Sequence, residues 1–231
     1  AEAMSLPTIW VFGDQLNRGI GALAGATPQT HRVLFIESTS KIASRKWHVQ
    51  RAHFIVASMR KFANELRTEG FHVDYRFAHS MCEGFDAHVL GFKPSEVVAT
   101  EPNSYGARQL AVGLGVRTVP SNQFLCHPDE YQTFLGSRKT IKMEDFYRWQ
   151  RKRLNVLMDG DEPTGGRWNF DEENRQPPPK TGHDRWPEPE RSELDEIDRA
   201  VLESVQEHCF GKLPIGQWAT TRNGALARLQ F

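Results

Sequence analysis

From Thr8 onward the chain alternates short runs of β-branched and aromatic residues with longer stretches in which apolar residues recur every three or four positions. Short apolar runs bounded by polar turns belong to strands covered on both faces, and their alternation with helical periods marks a parallel sheet built from βαβ units. Five strands are readable: Thr8–Phe12, Val33–Glu37, His72–Phe77, Glu96–Thr100 and Val116–Val119. The longest helical stripe, formed by Ala52, Ile55, Val56, Met59, Phe62, Ala63 and Leu66, predicts a helix from about Trp47 to Thr68 that Gly70 ends. Shorter helices are expected over Phe85–Leu90, Ser104–Leu114 and Pro128–Leu135, and a basic one over Met143–Met158.

Beyond that helix the alternation stops. Gly165-Gly166, Pro177-Pro178-Pro179, Pro187 and Pro189 make Gly160–Pro189 an irregular connector. Its Trp168, Phe170 and Trp186 need something to pack on, and are expected to be exposed if that partner lies outside the chain. Ser192 and Asp195 open a helix that runs to about Cys209, with acids crowding its first turn. Thr220 to Asn223 reads as a cap for a last helix, Gly224–Phe231, which meets no stop signal, so the chain reads as cut within a longer protein. The expected organisation is an α/β domain over 1–136, a basic helix over 137–159, a linker over 160–190, and an acidic helix with the start of a further domain over 191–231.

Composition adds limits. The mean hydropathy is −0.57. No apolar run approaches the roughly 20 residues of a membrane span, and the first residues lack a signal-peptide pattern, so a cytoplasmic protein with no membrane partner is expected. Ala1-Glu2-Ala3 reads as an appended scar before Met4. The formal net charge of zero hides a split: residues 1–153 carry 20 Lys+Arg and 14 Asp+Glu, residues 154–231 carry 9 and 15. The three cysteines, Cys82, Cys126 and Cys209, lie more than forty positions apart and form neither a disulfide framework nor a thiolate metal site. The nine histidines show no metal-ligand spacing, and no nucleophile elbow is present.

The candidate chemistry lies at the carboxyl ends of the strands, where open α/β sheets bind ligands. Gly13-Asp14-Gln15-Leu16 follows the first strand, Glu37 ends the second and Glu101 follows the fourth. Three acids on one edge suit a ligand rich in hydroxyl or amide groups better than a bare phosphate, although each singly also fits a helix cap. A second feature is the basic run Arg138, Lys139, Lys142, Arg148, Arg151, Lys152 and Arg153, interleaved with Tyr147 and Trp149. It fits a nucleic-acid surface, a solvated helix face, or a face that pairs with the acidic second half.

Trp10-Val11-Phe12-Gly13-Asp14-Gln15-Leu16, Ser58-Met59-Arg60-Lys61-Phe62 and Met143-Glu144-Asp145-Phe146-Tyr147-Arg148 resemble stretches of the deoxyribodipyrimidine photolyase-related proteins. These are the bacterial iron–sulfur cryptochromes and (6-4) photolyases. Gly165-Gly166-Arg167-Trp168-Asn169-Phe170-Asp171, continuing through Asn174-Arg175-Gln176-Pro177, and Phe210-Gly211-Lys212 carry the resemblance furthest. It implies a Rossmann-like five-stranded parallel sheet in the order 3-2-1-4-5 with flanking helices, then a long linker and a C-terminal helix.

It also implies an antenna domain for 6,7-dimethyl-8-ribityllumazine, with FAD and a four-cysteine [4Fe–4S] cluster in a C-terminal domain that this chain lacks. DNA and that domain would be the partners, and exposed linker aromatics would allow self-association. Carried over by position, the antenna pocket would use Gly13, Asp14, Ile36, Glu37, Lys41 and Glu101. The resemblance departs at two of them. Relatives that bind lumazine carry an acid where this chain has Lys41, and often a Cys where it has Ile36, and an ammonium reverses a carboxylate's hydrogen bond. An empty or differently filled pocket is therefore also consistent. The expected function is the non-catalytic antenna part of a photolyase- or cryptochrome-like flavoprotein. The rivals are a stand-alone nucleotide-binding module and a pure interaction module.

Overall fold

A computed structural model describes residues 5–175, 177, 180–182 and 190–230. Five parallel strands, β1 (Thr8–Trp10), β2 (Arg32–Ser38), β3 (Val73–Ala78), β4 (Val97–Thr100) and β5 (Arg117–Val119), lie in the order β3-β2-β1-β4-β5. Ile9 of β1 stands opposite Val33 of β2 and Val98 of β4, and Phe35 of β2 opposite Tyr75 of β3. The expected fold class and strand order are those observed.

Side-chain alternation along the strands divides the core into two layers. Ile9, Val11, Val33 and Phe35 face Met59, Phe62, Ala63 and Leu66 of α3 (Val49–Thr68). Trp10, Phe12, Leu34, Ile36 and Ala99 face Phe85 of α4 (Met81–Phe92) and Ala111 of α5 (Tyr105–Gly113). Burying each of these large side chains stabilises by about 1.5–3 kcal/mol, so the central strands, covered on both faces, anchor the sheet edge that follows them.

Local chemistry sets the ends. α4 begins four residues before the expected Phe85 because Ser80 caps it, its side chain accepting from the Glu83 N–H at 3.1 Å. It stops where Lys93 turns left-handed at φ 44°. The basic helix α7 (Met143–Leu154) is shorter than the expected Met143–Met158. Asn155 (φ 51°) and Leu157 (φ 53°) break it, and Met158–Asp159 pairs instead with Glu162–Pro163 as a small hairpin. The alternation along the chain also gave no sign of α1 (Gly21–Ala24) or α2 (Thr39–Ala43), which are too short to show a period.

The chain forms two compact units, one from residues 1–123 with 189–231, the other from 124–188. This grouping differs from the sequence boundaries at both ends. It splits ahead of α6 (Pro128–Leu135), and it puts the acidic C-terminal segment with the sheet. The reason is the second face of α3. Val201 and Val205 of α9 (Glu196–Val205) are fully buried against Val49, Ala52, Val56 and Ala57. A parallel bridge joins His48 to Phe210, with the Val49 N–H donating to the Phe210 carbonyl at 2.8 Å. The Phe210-Gly211-Lys212 motif is thus a docking element. Gly211 has φ 97°, and a Cβ there would fall 2.1 Å from Nε2 of His48.

A buried ionic cluster fixes the same contact. Lys61 Nζ donates to Asp198 Oδ2 at 2.8 Å, to Thr220 Oγ1 at 2.8 Å and to Asp195 Oδ2 at 2.7 Å. His53 Nε2 lies 3.0 Å from Asp198 Oδ1, while its buried Nδ1 has no hydrogen-bond partner among the described residues. That arrangement favours the neutral ring, with Nε2–H donating to Asp198, because a proton on the buried Nδ1 would be a donor without a protein acceptor among the described residues. Burial accordingly lowers the His53 pKa, against the opposing pull of Asp198. Burial also lowers that of His88, which is held between Asp74 Oδ2 (2.7 Å) and Thr8 Oγ1 (3.0 Å).

Both histidines take up a proton in the unfolded chain near 6.5 but resist it when folded. Their contribution to stability is full above pH 6.5 and is lost as pH falls from there through the folded values. Each adds at most about 1.4 kcal/mol per pH unit to the slope. Urea unfolding at pH 7.5, 6.5 and 5.5 should show this decline, and His53→Gln should flatten it. A stability that does not change over that range would refute the neutral buried rings.

Candidate ligand site at the carboxyl edge of the sheet

β1 is flanked by β2 and β4, whose connections leave it in opposite directions, so the crevice between β1 and β4 is the topological switch point. The segment after β1 is shaped by packing beneath it. A Cβ on Gly13 would lie 2.9 Å from Sδ of Met59 and 3.0 Å from Cγ2 of Ile55, so a larger residue there would have to push these side chains of α3 aside. Gln15 is buried and ties the two strand ends together, its Nε2 donating to the carbonyls of Thr100 and Glu101, each at 3.2 Å.

Above this strap lies a polar edge. Asn103 Nδ2 donates to Asp14 Oδ2 at 2.9 Å and to Gln123 Oε1 at 3.1 Å, and Gln123 Nε2 returns to the Asp14 carbonyl at 2.6 Å. Asn122 continues the edge, accepting from the Gly21 N–H at 2.9 Å and donating to the Gly19 carbonyl at 2.8 Å. Glu101 stands next to it with Arg108 at 3.4 Å. Asp14 is exposed, and its Oδ1 has no protein partner among the described residues. The edge therefore offers a carboxylate oxygen and side-chain amides to hydroxyl or amide groups of a ligand, and contains no nucleophile–base pair.

The six residues expected to share a pocket divide. Asp14 and Glu101 lie at the crevice, with Gly13 beneath them. Ile36 is 3 % exposed and faces the opposite layer, where a Cβ on Gly84 would fall 2.6 Å from its Cγ2. Glu37 is already satisfied. Arg60 donates to it through Nε (2.9 Å) and Nη2 (2.7 Å), and Tyr75 donates its hydroxyl at 2.8 Å. Burial, then the Glu37 charge, push the Tyr75 phenol well up, so it remains a donor. Lys41 is exposed on α2, whose first turn Ser38 caps. Ile36 is thus nearly fully covered, and Glu37 already accepts three hydrogen bonds.

Gln15, Asn103 and Gln123 were not anticipated as a group, since amide residues in loops carry no periodic signal. Their position immediately after strands one, four and five was the available clue. The structure also assembles Asp74, His88 and Thr8 in the sequence of a charge relay, but the Thr8 hydroxyl is fully buried and cannot meet a substrate. Of the linker aromatics, Phe170 is 38 % exposed, Trp168 is half-buried, and Trp186 lies outside the described residues. Among the described residues no helix is long and apolar enough to cross a membrane, and no group of three or more His, Cys, Asp or Glu could hold a metal ion.

Sheet order, flanking helices and the polar switch-point crevice define a doubly wound α/β protein. Within that class the sequence matches the deoxyribodipyrimidine photo-lyase-related protein family over residues 9–219, and the chain belongs to this family. A (6-4) photolyase of Agrobacterium fabrum (strain C58 / ATCC 33970) is 32 % identical over 233 residues, which covers 94 % of this chain and 45 % of the relative. The uncharacterized protein R852 of Acanthamoeba polyphaga mimivirus is 44 % identical over 41 residues, 18 % of this chain and 21 % of that protein. The chain thus spans less than half the length of these curated relatives.

Proposed function

We propose that this chain is the ligand-holding α/β part of a photolyase- or cryptochrome-like flavoprotein that acts on DNA, and that it is not catalytic by itself. The observation that carries the reading is the Asp14–Asn103–Gln123 edge at the switch point of a photolyase-related chain. On this reading the edge holds the hydroxyl chain of an antenna, with 6,7-dimethyl-8-ribityllumazine the candidate. Such a chromophore absorbs light and passes the excitation to a flavin. FAD and a [4Fe–4S] cluster are, on the same reading, carried outside these 231 residues. Three widely spaced cysteines and the 45 % coverage of the (6-4) photolyase support that assignment.

Titration of the chain with 6,7-dimethyl-8-ribityllumazine, followed by the ligand's fluorescence polarisation, tests the edge. Binding should saturate, and Asp14→Ala should weaken it at least tenfold, as loss of a hydrogen bond to a charged group does at about 1.5–3 kcal/mol. Absence of saturable lumazine binding combined with saturable AMP binding would replace this reading with a stand-alone nucleotide-binding module.

A further inference from the structure

The two outer strands of the sheet differ in how they are closed to other chains. An edge strand offers its outer N–H and C=O groups as a template, and shortness, lysine, proline or a bulge ordinarily prevents pairing there. β5 has three residues, its Arg117 is held by Glu96, and Pro120 follows it. β3 at the other end has six residues and no lysine or proline, and its register with β2 runs unbroken from Val73 to Ala78. It also presents Phe77 to solvent at 67 % exposure.

The ladder fixes which groups of β3 face outward. The Val33 N–H donates to the His72 carbonyl at 3.0 Å, so Asp74, Arg76 and Ala78 turn their backbone groups to β2, while Val73, Tyr75 and Phe77 turn theirs away from the sheet. Among the described residues no hydrogen bond reaches those outer groups. The side chains of the same three residues form an apolar row on the α3 side. Val73 and Tyr75 pack on the core there, and the Phe77 ring lies 5.3 Å from that of Tyr75. On the α4 side stand Asp74 and Arg76. Arg76 Nε and His88 Nδ1 each lie 2.7 Å from Asp74 Oδ2, which leaves Asp74 Oδ1 and the Arg76 Nη groups without a hydrogen-bond partner among the described residues.

Such a strand is complementary to itself in one antiparallel register. With Tyr75 opposite its own copy, Val73 falls opposite Phe77 and Asp74 opposite Arg76 on both sides of the two-fold axis. Residues 73, 75 and 77 are then the hydrogen-bonded pairs, which takes up the outer groups that β2 leaves free. Sliding the copies by two residues, the smallest shift that keeps those groups paired, sets Asp74 against Asp74 or Arg76 against Arg76, and like charges directly opposite destabilise a pair. We propose that β3 is a self-association edge: two copies of this chain pair antiparallel about Tyr75, with Phe77 covered by Val73 of the partner subunit and Asp74 facing Arg76 of the partner subunit. The inference does not rest on the ligand edge and needs none of the linker aromatics.

Sedimentation velocity of the full chain between about 1 and about 200 μM tests it, because so small an interface gives a weak, concentration-dependent dimer. Phe77→Lys should raise the dimer Kd by about tenfold or more, since lysine on an edge opposes pairing. Thr118→Lys, which adds the same charge at an exposed position of β5, should leave Kd within about twofold of wild type. Urea unfolding verifies that both variants are folded. Disulfide trapping with the exposed Cys82 replaced by Ser tests the register, and does so even where Phe77→Lys fails to fold. An equimolar mixture of Val73→Cys and Phe77→Cys chains should crosslink on mild oxidation, because hydrogen-bonded partners lie about 5.5 Å apart at Cα. Either variant alone should not, since its two cysteines would lie roughly 14 Å apart along the strands. A wild type that stays monomeric at the highest concentration would overturn the proposal. So would a dimer that Phe77→Lys leaves intact, equal weakening by Thr118→Lys, or crosslinking of either single variant as fast as the mixture.

Discussion

Asp198→Ala is expected to destabilise the protein by about 3 kcal/mol, the lower end of the cost of breaking a buried ion pair. Asp198 is 2 % exposed and accepts from four donors: His53 Nε2, Lys61 Nζ, Thr220 Oγ1 and the Asp195 N–H. Its loss leaves a buried ammonium that retains only Thr220 and the half-exposed Asp195. Burial works against the Asp195 carboxylate, but hydrogen bonds from Lys61 and the Asp198 N–H outweigh it and hold its pKa low, so one counter-charge survives. That survival keeps the cost at the lower end of the range. Urea denaturation measures the loss. Limited proteolysis locates it, with faster cleavage expected in the 206–219 segment than in the sheet. If Lys61→Met/Asp198→Ala proves as unstable as the sum of the single variants, the two residues do not act as a pair and the cluster is not what fastens α9 to α3.

The same helix explains why the sheet could be read from the sequence and the cluster could not. The stripe Ala52 to Leu66 gave α3 because apolar residues at helical spacing report one buried face directly. Yet α3 is buried on two faces: Ala52 and Val56 of that stripe pack with Val49 and Ala57 under α9, and the polar members of this side, His53 and Lys61, are of types that do not announce burial. A lysine at 9 % exposure is legible only once its carboxylate partner, 137 positions away, is known. For that reason the 191–231 segment read as the opening of another domain, although its apolar stripe closes over α3. The start of α9 was expected from Ser192 with Asp195, but the box lies three residues later, with Asp195 as the N-cap and Asp198 closing it; that this capping pair also serves the ion cluster carried no sequence signal.

The ligand edge was half legible. Strand-end position identified Asp14 and Glu101 without structure, because in a parallel sheet all strands present the same end. Position could not separate Glu37 from them. Glu37 ends its strand on the α3 side, the face that the strand period gives to Val33 and Phe35, but its Arg60 partner, 23 positions away, carries no sequence signal. Ser58 to Phe62, a stretch that resembles the family, becomes a set of structural contacts. Met59 underlies Gly13, Arg60 holds Glu37, Lys61 holds Asp198 and Phe62 packs edge-on to Phe35 at 6.3 Å.

Glu37 therefore provides the sharpest separation of a structural from a ligand-binding role. Arg60→Ala should cost about 2–4 kcal/mol, because it strips a bidentate partner from a carboxylate that is 8 % exposed and leaves it the Tyr75 hydroxyl alone. Arg60 itself is 18 % exposed, so water recovers part of that loss. Glu37→Gln keeps the shape but leaves the guanidinium without a counter-charge, and should destabilise by a similar amount. A double-mutant cycle between Arg60→Ala and Glu37→Gln should return most of either cost as coupling. Lumazine affinity of the still-folded Glu37→Gln protein should stay within about twofold of wild type, while Asp14→Ala loses tenfold or more with a nearly unchanged midpoint of unfolding. The opposite pattern, with Glu37→Gln stable but unable to bind and Asp14→Ala indifferent, would move the site from the β1–β4 crevice to the β2 end, and the Arg60 pair would then have to open when ligand arrives.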